Sequence, residues 1–97
     1  MAWDYKHTHF ARAKIWLDTE NRKILLAESF SRHEKIFDYN QIKTVRKGSA
    51  RSSTNSALFI TVLDIQKPNY QIEFLTEYLA DEWFDRLSIV LELHAVR

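Results

Sequence analysis

The chain predicts an α+β domain, an antiparallel sheet followed by one C-terminal amphipathic helix. Three observations carry this expectation. Residues 57–65 form an unbroken run rich in β-branched and aromatic side chains. Residues 70–75 alternate cleanly, with Tyr70, Ile72 and Phe74 on one face. Helical periodicity then runs from Thr76 to about Leu93. Gly48 is the only glycine and Pro68 the only proline, so the strongest local breakers are each used once.

From the N-terminus, Ala11, Ala13, Ile15 and Leu17 alternate with Arg12, Lys14 and Trp16, which predicts a first strand. Residues 18–22 are polar and turn-like. Residues 23–30 are apolar, 34–39 predict a third strand, and 42–47 a fourth. A helix over 19–37 is the alternative, because Leu26, Phe30, His33 and Phe37 recur at helical spacing; strands are preferred. Residues 48–56 are small and polar throughout, the most loop-like stretch.

In the run at 57–65, Leu58, Ile60 and Val62 face one side and Phe59, Leu63 and Ile65 the other. Apolar character on both faces predicts a central strand. Gln66 to Asn69 make the turn of a hairpin, with Pro68 presetting φ and Asn69 tolerating a left-handed φ. Thr76 caps the helix, and Glu77, Asp81 and Glu82 suit the positive end of its dipole. Leu79, Ala80, Trp83, Phe84, Leu87, Val90, Leu91 and His94 form its apolar stripe. Glu77, Asp81, Asp85 and Glu92 lie opposite, on a solvated face. Tyr78, Ile89 and Leu93 lie off the stripe, either covered by the N-terminal segment or forming a small docking patch.

Composition bounds the function. The 97 residues are expected to form one domain, 1–97. There is no cysteine, hence no disulfide framework, thiolate zinc site or cysteine nucleophile; this suits a cytoplasmic setting. The strongest apolar run is far short of a membrane span, which needs about 20 residues. The first residues lack the basic-then-apolar order of a signal peptide. The formal net charge of +1 offers little pull toward nucleic acid or a membrane, so direct binding to either is not expected.

Catalytic motifs are missing. One glycine rules out a phosphate-cradling P-loop or a Gly-x-Gly-x-x-Gly turn, and no serine sits in a nucleophile elbow. His7 and His9 read as surface histidines, His33 as solvated and His94 as a helix-end cap; a metal needs three or four gathered ligands. The expectation is a non-enzymatic protein without cofactor or metal. The remaining candidates lie on surfaces. Lys43, Arg46, Lys47 and Arg51 form a basic cluster beside the loop, with no acid between Lys43 and Arg51. Lys67, Pro68 and Asn69 form an exposed turn whose X-Pro bond suits a prolyl isomerase as partner. Tyr78 and Ile89 mark the helix flank.

Two resemblances extend this reading. The order of residues 37–42, the loop from Gly48, the strand at Leu58, the alternation from Tyr70 and the helix from Ala80 resembles the small bacterial pleckstrin-homology-like domains. That resemblance covers roughly residues 14–93 and implies a strongly bent antiparallel sheet capped by one C-terminal helix, in an adaptor for a peptide or anionic lipid. Lipid-binding members carry a basic first hairpin, whereas here that turn, Asp18-Thr19-Glu20-Asn21-Arg22-Lys23, holds two acids. The whole chain also resembles the small anti-RecBCD proteins of lambdoid phages that infect enteric bacteria, in its size, slight basicity, lack of cysteine and lone proline in Lys67-Pro68-Asn69. This implies a phage protein, made in the host cytoplasm, that binds and modulates the host RecBCD helicase–nuclease, favouring phage recombination and protecting phage DNA. The partner-binding candidates are then Arg46, Lys47, Arg51, Lys67, Pro68, Asn69, Tyr78 and Ile89.

Overall fold

The computed structural model describes residues 5–8, 13–28, 33–51 and 54–95. Four strands come first: β1 (Tyr5–Thr8), β2 (Lys14–Asp18), β3 (Lys23–Ala27) and β4 (Lys35–Asp38). A single 3-10 turn, Tyr39–Gln41, follows. Then come β5 (Ile42–Ser49), β6 (Ser56–Val62), β7 (Asn69–Glu73) and the helix α1 (Glu77–Ala95). The strands pair antiparallel in sequence order, β1-β2-β3-β4 in one sheet and β5-β6-β7 in the other. The fold is thus α+β, with strands rather than a helix at 23–27 and 35–38. Among the described residues no helix is long and apolar enough to cross a membrane.

The expected single bent sheet is parted in two at the 3-10 turn. Gln41 causes the break locally: its side-chain Oε1 accepts the Asp38 N–H at 2.8 Å, which closes the turn. Tyr39 is buried there, and its N–H donates to the Arg22 carbonyl at 3.0 Å. The chain leaves the turn in a new direction, and the Gln41 carbonyl accepts the Leu63 N–H at 2.8 Å.

One core serves both sheets and the helix. Ile15 and Leu17 of β2, Ile24 and Leu26 of β3, Leu58 and Ile60 of β6, Ile72 of β7 and Leu87 of α1 are almost wholly buried in it. Phe37 meets Tyr70 edge-on, centroids 5.6 Å apart, where the two sheets face each other. On α1 the buried Ala80, Trp83 and Leu87 recur at helical spacing. Thr76 Oγ1 accepts the Leu79 N–H at 3.2 Å, the expected N-cap.

Several expectations are corrected. β1 has no apolar alternation and was not foreseen; it pairs along β2 from Tyr5↔Leu17 to Thr8↔Lys14. The strand expected over 57–65 stops at Val62, because its partner β7 begins only at Asn69, opposite Thr61. Leu63 and Ile65 therefore leave the sheet, and Ile65 is fully exposed. Gly48 lies inside β5 rather than in the loop, and its φ is not left-handed. Asn69 is not left-handed either; among the described residues the one positive φ outside glycine is that of Arg22, at 56°. Arg22 ends a turn closed by Asp18, whose buried carboxylate accepts the Asn21 N–H at 3.1 Å and the Asn21 side-chain amide at 2.9 Å. The readings of Phe30 and His9 lie outside the described residues, as does that of the His94 side chain.

Burial orders the sites of mutational damage. Leu58→Ala is expected to destabilise the fold by about 2–5 kcal/mol, as buried Leu→Ala changes do. Ile65→Ser is expected to stay within about 0.5 kcal/mol. Urea midpoints at constant m-value check both, and comparable losses at the two positions would contradict the register of β6.

Candidate anion-binding site

The outer face of the second sheet is built by the strand period of two. On β6 the core takes Leu58, Ile60 and Val62, so Phe59 and Thr61 point the other way. Arg46 lies opposite Phe59, which in turn lies opposite Gln71. The next row is Thr44, Thr61 and Asn69. These six residues line a pocket of about 80 Å³, with Arg51 and Glu28 on its wall.

Phe59 organises the charge. The Arg46 guanidinium lies 5.0 Å from its ring centroid and that of Arg51 5.8 Å, both within cation–π range. Arg51 is held there by its backbone, since its N–H donates to Gln71 Oε1 at 3.0 Å. The preceding Ala50 is buried, and its N–H bonds the Asn55 carbonyl at 2.8 Å. Gly48 makes room: a Cβ there would sit 3.2 Å from Phe59 Cε2. The sole glycine therefore serves close approach of a ring, not a turn.

Five lysines are committed, and Lys43 of β5 is exposed and outside these pairs. Lys14 pairs with Glu34, Lys23 with Asp38, Lys35 with Asp64 and Lys67 with Glu28. Lys47 pairs with Asp81 of α1, and that contact raises the pKa of its ammonium. Among the described residues, neither Arg46 nor Arg51 has such a carboxylate partner. Glu28 faces the same pocket with both oxygens engaged, Oε1 by Lys67 at 2.6 Å and Oε2 by the Gln71 N–H at 2.9 Å.

The structure thus divides the sequence candidates. It gathers Arg46, Arg51 and Asn69 at one pocket. Lys47 turns to the helix, and Asp81, expected on a solvated face, is its partner. Lys67 sits beside the pocket, bound to Glu28 and 4.8 Å over the Tyr70 ring. Pro68 is exposed with a trans peptide bond, and its carbonyl accepts the Val62 N–H at 2.8 Å. Asn69 Oδ1 accepts the Thr61 hydroxyl at 3.3 Å. Tyr78 and Ile89 are 73% and 57% exposed on α1, away from the pocket lining. Sequence reading passed over Phe59, Gln71 and Glu28. The alternation of Phe59 and Gln71 with core residues was the available signal; nothing local marks Glu28.

A larger cavity of about 230 Å³ adjoins this pocket and shares Glu28 and Tyr70 with it. Its charges are paired, Lys35 with Asp64 at 2.9 Å and Lys67 with Glu28. Burial pushes the Tyr70 hydroxyl pKa up. Among the described residues no group of three or more metal-ligating side chains gathers. Comparison with known proteins matches no family model, no curated protein and no solved structure.

The Lys35–Asp64 pair links β4 to the turn before β7 and gives stability a pH dependence. The hydrogen bond from Lys35 holds the Asp64 carboxyl below its ordinary value, so its contribution is present above that value and lost as pH falls through the depressed one. The same bond raises Lys35 above 10.5, so that contribution is full below 10.5 and lost as pH rises through the raised value. Asp64→Asn is expected to flatten both limbs of the stability profile. Urea midpoints from about pH 2 to about pH 11 check this, and limbs parallel to those of the parent would refute it.

Proposed function

We propose that this chain is a non-enzymatic binding module that works by surface contact with a protein partner. The observation that carries the reading is the arginine pair over Phe59, two cations held on an exposed sheet face with no carboxylate partner among the described residues. A fold that neutralises five lysines internally and leaves these two together has an arrangement suited to an external anion. The pocket supplies hydroxyls, amides and guanidiniums, and its one carboxylate, Glu28, is tied up by Lys67 and the Gln71 N–H, which favours holding a group over acid–base chemistry on it.

The element order supports a pleckstrin-homology-like adaptor: four antiparallel strands, three antiparallel strands and a closing helix. Within that reading a peptide suits the chain better than a lipid. The β2–β3 turn, which counts as the first hairpin when β1 is left aside, is occupied by its own Asp18–Asn21 bonds, and the neighbouring Lys23 is paired with Asp38. The resemblance to anti-RecBCD proteins of lambdoid phages supplies the partner proposed, the host RecBCD complex in the host cytoplasm. The exposed Lys67-Pro68 step is proposed as a contact for a host prolyl isomerase.

The test is affinity purification from enteric bacterial lysate with the tagged chain, its Arg46→Gln/Arg51→Gln variant and its Pro68→Ala variant. Recovery of RecBCD subunits with the parent, and at least about tenfold less with the arginine variant, is the expected outcome. Absence of RecBCD rejects that partner. Flotation with anionic liposomes tests the lipid form of the adaptor reading and is expected to show no co-migration. The prolyl isomerase is expected with the parent and not with Pro68→Ala; equal recovery from both rejects it.

A further inference from the structure

Two guanidiniums with no carboxylate partner among the described residues, the Phe59 ring they share and one small pocket beside them define more than a generic basic patch. We propose that Arg46 and Arg51 receive a single phosphate monoester, carried by a phosphorylated serine or threonine of a protein partner. The proposal rests on the contact-module reading above and names the group that this face contacts.

Charge comes first. A phosphate monoester carries about −1.5 to −2 at neutral pH, which matches two arginines, whereas a carboxylate ligand with its single charge does not. Shape agrees. Guanidinium forks match phosphate oxygens two at a time, and the Phe59 ring, 5.0 and 5.8 Å from the two groups, limits the freedom they lose on binding. Neutral donors complete the set. Gln71 uses its Oε1 to accept from Arg51, which leaves its amide N–H groups to donate, and the Thr44 hydroxyl lines the same pocket.

Size and surroundings select one phosphate over many. The pocket, about 80 Å³, is far below the roughly 300–1,000 Å³ of small-molecule sites. A nucleic-acid strand needs a track of free cations. Here the flanking Lys47 and Lys67 are neutralised by Asp81 and Glu28, Lys43 is, among the described residues, the one further cation of the cluster outside these pairs, and the net charge is +1. Glu28 also bars the Lys67 side of the pocket to a second anion, which confines the phosphate to the arginine side.

The experiment is an NMR titration of the arginine side-chain and Gln71 amide signals. The probes are a five-residue peptide Ala-Ala-pSer-Ala-Ala, the same peptide with Ser or Glu, inorganic phosphate, sulfate and a short DNA duplex. Saturable shifts with the phosphopeptide are expected, with affinity reduced about tenfold in each of Arg46→Gln and Arg51→Gln, the usual scale for a lost charge-assisted hydrogen bond. Arg46→Lys keeps the charge without the fork and is expected to recover part of the loss, which separates recognition from misfolding; unchanged thermal melts of the variants complete that control. The proposal is overturned by no shift at about 10 mM phosphopeptide, by equal response to sulfate or to the Glu peptide, or by tighter binding of the duplex. Inorganic phosphate binding as tightly as the phosphopeptide overturns the protein-borne source. RecBCD capture that survives Arg46→Gln/Arg51→Gln while the probes fail removes the phosphate site and leaves the partner reading standing. Probe binding without RecBCD capture does the reverse.

Discussion

The register of β6 is the constraint on which the rest depends. This strand has neighbours along both edges, β5 and β7, and work for both of its faces. Leu58, Ile60 and Val62 close the core beneath the helix and the first sheet, while Phe59 and Thr61 stand on the outside. A slip of one residue would exchange the two sets, placing aliphatic side chains in water and a threonine in the core. The core thereby positions the arginine platform, and its Ile60 and Tyr70 also line the pocket. Phe59 stands outward because its neighbours are needed inward.

The helix and the second sheet are joined on the inner side by burial and at the rim by charge. Trp83 and Leu87 enter the core, and Lys47 of β5 reaches Asp81 of α1. This rim contact is exposed, and such pairs contribute little to stability. Its effect is on the electrostatics of the surface: it removes one cation from the basic cluster. The strand period does the rest, sending Lys47 to the helix side and Arg46 to the ring.

Legibility in the sequence followed the strength of the local pattern. The helix was readable with its Thr76 cap because apolar residues recur over 19 residues, long enough for the period to stand out. β7 was readable because Tyr70, Ile72 and Phe74 alternate with polar partners. The end of β6 was not, since apolarity continues through Leu63 and Ile65 and only the partner strand decides where pairing stops. β1 was missed because Tyr5-Lys6-His7-Thr8 has no apolar alternation, and the register that defines it comes from β2. At the site, linear proximity drew Lys43, Arg46, Lys47 and Arg51 into one cluster. Alternation along β5 separates adjacent residues, and a ring 13 positions after Arg46 on the partner strand reunites Arg46 with Arg51.

Gly48 gives the site an evolutionary geometry. Its backbone adopts a conformation open to any residue, so nothing in the chain path demands glycine. The demand comes from the volume of one aromatic ring on the next strand, 3.2 Å from where a methyl carbon would begin. Positions 48 and 59 therefore crowd each other, and a side chain at 48 requires the ring at 59 to shift. Exchanging the ring for a small side chain would free position 48 to vary and would leave both arginines without their platform. The chain's single glycine is in this sense the imprint of Phe59 on a neighbouring strand, and a side chain at position 48 would ask that ring to yield by a few tenths of an ångström.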